Sequence, residues 1–321
     1  MSLAPWHSEA WTSLRARLSR GALPHALLLC GPEGLGKRAF AEAFVALALC
    51  EQRGDVACGR CRACQLLAAG SHPDRVRVGL EERDDGKLRS EIVVEQIRRL
   101  SERLAMTPQF GGLQLVLIDP AEAMNAAAAN ALLKTLEEPT RGTVIVLVSD
   151  APGRLVATIR SRCQRIEFKP PSREQALAWL AAQGVAEGAA SLDAASGNPG
   201  RALALARSGG LALRAEVARD LAALWTGQCP AGEAANRWAG SEGELRLWFA
   251  AQLAVDEAAA AARGARGPLA LTLAPDFHKL AAWLREAGRV REQLRTPLRP
   301  ELAILDLLLA WREMAPRPRR A

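Results

Sequence analysis

Residues 26–30, Ala-Leu-Leu-Leu-Cys, are continuously apolar. They run directly into Gly31-Pro32-Glu33-Gly34-Leu35-Gly36-Lys37-Arg38, and a helix-period segment follows over 37–49. Strand, G-x-x-x-x-G-K and helix in immediate succession make a phosphate loop, and that context makes a chance glycine-rich turn the weaker reading. Gly31, Gly34 and Gly36 let backbone N–H groups curl around phosphate oxygens, the helix N-terminus adds positive potential, and Lys37 can reach terminal phosphates. The next position normally carries a Ser or Thr hydroxyl for Mg²⁺. Here it is Arg38, a cation without lone pairs that cannot ligate a metal.

The rest of the first half repeats the strand-helix alternation. Strands are expected at 26–30, 75–78, 113–118, 143–148 and 164–168, with helices at 37–49, 94–104, 126–136 and 154–159, which predicts an α/β fold on a five-stranded parallel sheet. The alternation stops at Lys169-Pro170-Pro171-Ser172, with Ser172 an expected helix N-cap. Three short helices (172–183, 186–195, 199–207) and a longer set (211–225, 243–262, 276–295, 301–314) complete the expectation. Trp225, Trp238, Trp248, Trp283 and Trp311 should pack the last group. The expected divisions are therefore 1–169, 170–208 and 209–321.

A chain of 321 residues has room for two or three domains, and no apolar run approaches the ~18 residues of a membrane span. The N-terminal stretch lacks the apolar core of an export signal, so a cytoplasmic protein without membrane contact is expected. Lys and Arg number 42 against 35 Asp and Glu, a net +7 that leans weakly towards anionic partners. Lys occurs only at 37, 87, 134, 169 and 279, an arginine bias that reads as base composition rather than as a nucleic-acid surface. The basic, proline-broken tail at 316–320 should fray.

Four of the seven cysteines fall in Cys50-x7-Cys58-x2-Cys61-x2-Cys64. Two overlapping C-x-x-C hooks can close one tetrahedral Cys₄ site, so a structural zinc module at 50–64 is expected. A redox C-x-x-C is the competing reading, and it leaves two cysteines unexplained. Cys30 and Cys229, among apolar neighbours, read as small core residues.

The strand at 113–118 ends in Asp119, where P-loop proteins place the acid that steers Mg²⁺. Around this point LPHALLLCGPEGLGKR, LIDPAEAMNAAAANALLKTLEEP and TIRSRCQ together resemble the delta-prime subunits of bacterial DNA polymerase III clamp loaders. The likeness is carried by the first half; the helical remainder agrees only in length and character. It implies a RecA-like AAA+ P-loop domain with a zinc module, then a three-helix lid and an all-α collar. It also implies that Arg162 is an arginine finger acting in trans on a neighbour's γ-phosphate. ATPases of this type usually follow the acid with a water-orienting Glu; this chain has Pro120.

Loss of the Mg²⁺ hydroxyl and of that Glu predicts no turnover, and whether ATP or ADP is held stays open. Ser149 and Asp150, at a sensor position, are given a structural role only, and the second-sensor site stays open, the best register placing Gly200 there and Arg201 one residue late. The implied partners are the gamma/tau motor and delta subunits in a hetero-oligomer that meets the sliding clamp and primed DNA. An active gamma/tau-like ATPase and a zinc-dependent DNA-binding module are the alternatives. Arg38 and Pro120 speak against the first, and the lack of a basic run interleaved with aromatics against the second.

Overall fold

The computed structural model describes residues 3–83, 86–110, 112–240, 242–271, 276–294 and 300–315. The basic tail at 316–320 and the expected helix end at Arg295 lie outside them. The chain divides into two compact units, residues 1–184 with 197–201 and residues 185–196 with 202–321.

The first unit is built on β1 (Ala26–Cys30), β2 (Arg75–Val78), β3 (Gln114–Ile118), β4 (Thr143–Ser149) and β5 (Gln164–Glu167). These form one parallel sheet in the order β2-β3-β4-β1-β5. The central strands β1, β3 and β4 are buried along their whole length, which is why they read as unbroken apolar runs. The edge strands β2 and β5 are only partly buried and can carry Arg75, Arg77 and Arg165.

Alternate residues of the central strands feed two cores. Leu28, Val116, Ile118, Ile145 and Leu147 pack with α4 (Val94–Leu104), α5 (Ala126–Glu137) and α6 (Ala157–Arg162). Leu27, Leu29, Leu115, Leu117 and Val146 pack on the opposite face with α1 (Ser8–Ser19) and α2 (Lys37–Leu49). A short α3 (Arg62–Ala68) precedes β2, and α7 (Arg173–Ala182) follows β5. Asn125 caps α5 by accepting from Ala128 N at 2.9 Å, and Ser172 caps α7 as the sequence predicts.

One helix is shifted from expectation. Pro152–Arg154 form a 3-10 turn, Leu155 is extended and dips into the core, and α6 starts only at Ala157, three residues late. The proline-glycine pair favours the turn over a helix start. The shift makes Arg162 the last residue of α6.

The second unit is helical: α8 (Gly188–Ala194), most of α9 (Pro199–Ser208), α10 (Gly210–Thr226), α11 (Ala231–Ala239), α12 (Gly243–Ala262), α13 (Phe277–Gln293) and α14 (Pro300–Glu313). Trp225, Trp238, Trp283 and Trp311 are buried in it. Three of these indoles find acceptors: Trp238 on Asp220 Oδ2 at 2.8 Å, Trp283 on Leu307 O at 2.8 Å and Trp311 on Leu221 O at 3.0 Å. Trp248 is half-buried. Cys229, expected in the core, is also only half-buried and lies beside the Arg237 guanidinium, whereas Cys30 is buried in β1. Among the described residues no helix is long and apolar enough to cross a membrane.

Candidate functional site

Gly31, Gly34 and Gly36 occupy the loop between β1 and α2 with φ of 141°, 84° and 80°. A side chain at Gly36 would meet the buried ring of His7, whose Cε1 lies 2.8 Å from an ideal Cβ. His7 Nε2 donates to Leu35 O at 2.7 Å, and Trp6 Nε1 donates to the same carbonyl at 3.2 Å. The N-terminal segment thus grips the inner side of the phosphate loop. Burial pulls the His7 imidazole below its usual range, the Leu35 bond offsetting this only in part, so it is neutral at pH 7.

Lys37 does not project from the loop. Its side chain is 1% exposed, and its ammonium reaches Gly31 O at 2.7 Å, Pro32 O at 2.6 Å and Asp150 Oδ1 at 2.5 Å. Two carbonyl acceptors and one carboxylate counter-ion surround the ammonium group. Arg38 then bridges two carboxylates, donating from Nε to Asp119 Oδ2 at 3.0 Å and from Nη2 to Asp150 Oδ2 at 2.9 Å. Two cations and two anions close on one another, and the charge a phosphate would meet is cancelled. Burial raises the Asp150 carboxyl, but the bonds from Lys37 and Arg38 outweigh it and hold it below the ordinary carboxylate range. At Asp119 burial wins over Arg38 and leaves the carboxyl raised.

A second segment closes the outer side of the loop. Asn198 Nδ2 donates to Glu33 O at 2.6 Å, and Arg201 Nη2 stands 3.8 Å from Glu33 Oε2. Gly200 approaches so closely that an added Cβ would fall 1.8 Å from Gly34 O. Here only glycine fits.

The four module cysteines converge. The Sγ atoms of Cys50, Cys58, Cys61 and Cys64 all lie within 4.8 Å of one another, with Cys50 to Cys61 at 3.9 Å and Cys58 to Cys64 at 4.0 Å. A tetrahedral site with ~2.3 Å metal-sulfur bonds requires sulfurs about 3.8 Å apart. Backbone N–H groups also point at the sulfurs: Cys58 N at Cys50, Cys61 N at Cys58 and Cys64 N at Cys61, at 3.3–3.4 Å. That surround favours the thiolate at Cys58 and Cys61, whereas burial pushes the Cys50 and Cys64 thiols up. Although burial works against it, the N–H groups of Cys64 and Glu51 help hold the Cys61 thiol down at about 6. The cluster is a metal-competent Cys₄ site. It is tied to α1 by the Trp11 indole, which donates to Asp55 O at 3.0 Å, and by an Arg15–Asp55 ion pair.

Arg162 bonds to other residues. Its Nη1 donates to Thr158 O at 3.1 Å and its Nη2 to Glu137 Oε1 at 2.6 Å, with the side chain 35% exposed. The sequence points to Lys37, Arg38, Asp119 and Arg162 and gives Asp150 a structural role, but it does not say which groups hold one another. Glu137 and His7 as partners, and the contacts of Asp150 and Asn198, become visible only through tertiary neighbours. Asp150, for instance, follows Ser149, which pairs with Cys30 across the sheet, and that pairing sets it beside the phosphate loop.

These features define a class: a P-loop α/β module in which the phosphate-loop lysine and the residue at the Mg²⁺ position are both engaged by the chain's own carboxylates. Comparison with known proteins narrows it. The profile described as "DNA polymerase III, delta subunit" matches residues 6–172. The DNA polymerase III subunit delta' of Pseudomonas aeruginosa is 41% identical over 239 residues, covering 73% of this chain and 70% of that one. Its Escherichia coli K12 counterpart is 35% identical over 324 residues, covering 95% and 94%. DNA polymerase III subunit tau of Bacillus subtilis is 32% identical over 158 residues, 49% of this chain and 27% of that one. The chain belongs to the DNA polymerase III delta-prime family.

Proposed function

We propose that this protein is the non-motor subunit, a stator, of a DNA polymerase III clamp loader. In this reading it joins gamma/tau motor and delta subunits through its C-terminal helices, holds structural zinc in its Cys₄ module, and presents Arg162 to nucleotide bound by a neighbouring motor. The sliding clamp and primed DNA are met through the complex, and the three-part division at 170 and 209 supplies the lid and the collar.

The observation that carries the reading is the Lys37–Asp150–Arg38–Asp119 network. For a triphosphate to take the place of Asp150 and the loop carbonyls, a lysine that is 1% exposed must leave three short contacts. The site would still lack a Mg²⁺ hydroxyl at Arg38 and a water-orienting carboxylate at Pro120. An active motor needs all of these. Zinc is favoured over other ions because four thiolates at tetrahedral spacing suit it and leave no open coordination position.

Equilibrium binding of a fluorescent ATP analogue and ATP turnover should be measured on the isolated chain. Binding too weak to saturate at millimolar nucleotide, with no turnover, is expected. Hydrolysis abolished by Lys37→Ala would establish the motor alternative instead.

A further inference from the structure

Arg162 is read above as the group that acts on a neighbour's nucleotide, and what aims it is a separate question that rests on that reading. The guanidinium carries five N–H donors in one plane. One of them, on Nη1, is taken by Thr158 O in the preceding turn of α6, and one on Nη2 by Glu137 Oε1 at 2.6 Å. Two bonds from different nitrogens fix the plane and its rotation about the long side chain. The other three donors have no partner among the described residues.

We infer that Glu137, the last residue of α5, is the positioning residue for Arg162: its carboxylate holds the guanidinium with its free edge presented to an incoming phosphate. The pair is not explained by stability. Glu137 is 51% and Arg162 35% exposed, and an ion pair so placed adds little to folding. What it does supply is order. An arginine side chain without a tether samples many rotamers, and each must be frozen when the phosphate arrives. The Glu137 bond need not break at the moment of reaction, because only unused donors need engage the phosphate. Glu137 itself touches no nucleotide.

The test uses the whole assembly, reconstituted from this chain, the motor and delta subunits, the clamp and primed DNA, with initial ATPase rates taken over a range of ATP concentrations. Arg162→Ala should lower kcat in part, since the motors' own interfaces keep their fingers. Glu137→Ala should reproduce most of that loss with KM for ATP unchanged and with normal assembly and melting temperature. Glu137→Gln, which keeps an acceptor oxygen but no charge, should recover part of it. The double variant should be no worse than Arg162→Ala alone, because the two residues act as one unit.

Full turnover by Glu137→Ala beside an impaired Arg162→Ala would overturn the positioning role and leave the finger standing. A double variant clearly below Arg162→Ala would overturn it too, since Glu137 would then act by another route. A silent Arg162→Ala would instead remove the finger reading itself.

Discussion

An ammonium group in a protein interior needs acceptors and a counter-charge, and Lys37 finds both within its own chain, two loop carbonyls and the Asp150 carboxylate. Removing Asp150 leaves that cation buried with its counter-charge gone, whereas removing Lys37 leaves Asp150 still paired with Arg38. Asp150→Ala should therefore cost about 3 kcal/mol of stability, and Lys37→Ala clearly less, by chemical denaturation at pH 7. Equal losses would mean that the network is not what holds the loop. The pH dependence follows from the depressed carboxyl of Asp150, since its ionisation favours the folded state. That contribution is fully present above the ordinary aspartate range, near pH 4, and is lost as pH falls further through the folded value. Asp119 has the opposite sign, its raised carboxyl taking up a proton earlier in the native state. Comparing wild type with Asp150→Ala between pH 3 and 7 isolates the first effect: the two stability curves should converge at the acid end.

At the level of elements, the Cys₄ module hangs from the end of α2, where Cys50 is the cap, and is braced against α1 at Asp55. Cys61 also caps α3, its sulfur accepting from Cys64 N. Metal removal or Cys58→Ser should release residues 50–61 first, with amide exchange rising there and in the last turn of α2 while the central strands stay protected. Metal analysis of protein purified without added zinc should give about one ion per chain. Unchanged exchange in a metal-free sample would contradict a structural role. The cysteine cluster was legible in the sequence because its spacing states its geometry, and the central strands because burial on both faces writes them as unbroken apolar runs. The start of α6 was not legible: Leu155 and Val156 suit a helix by composition, and only the Pro152–Gly153 turn and the burial of Leu155 delay it. Nor were α1, α3 and α11 read as helices: α3 buries only Ala63 and Cys64, whereas α1 (Trp11, Leu14, Leu18) and α11 (Ala231, Ala234, Ala235, Trp238) bury residues at helical spacing, a signal the sequence does carry. The partners of the site residues were hidden for a different reason. Asp150 and Glu137 meet their arginines across 112 and 25 positions of chain, and no local pattern encodes such pairings.

For the molecule as a whole, the proposed function implies one division of labour: the phosphate loop is held shut by its own chain, and Arg162 would serve a neighbour. The resemblance of three sequence segments pointed to the family, and the relatives that match over most of the chain establish it. The closed loop could not be foreseen, because a G-x-x-x-x-G-K sequence reads alike whether its lysine faces a phosphate or an aspartate. The most direct measurement is the DNA-stimulated ATPase of the reconstituted clamp loader carrying either Arg162→Ala or Lys37→Ala in this subunit alone. Arg162→Ala should assemble normally and lose part of its turnover, and Lys37→Ala should stay close to wild type. The reverse order, turnover abolished by Lys37→Ala and untouched by Arg162→Ala, would mean that this chain hydrolyses ATP itself and is not a stator.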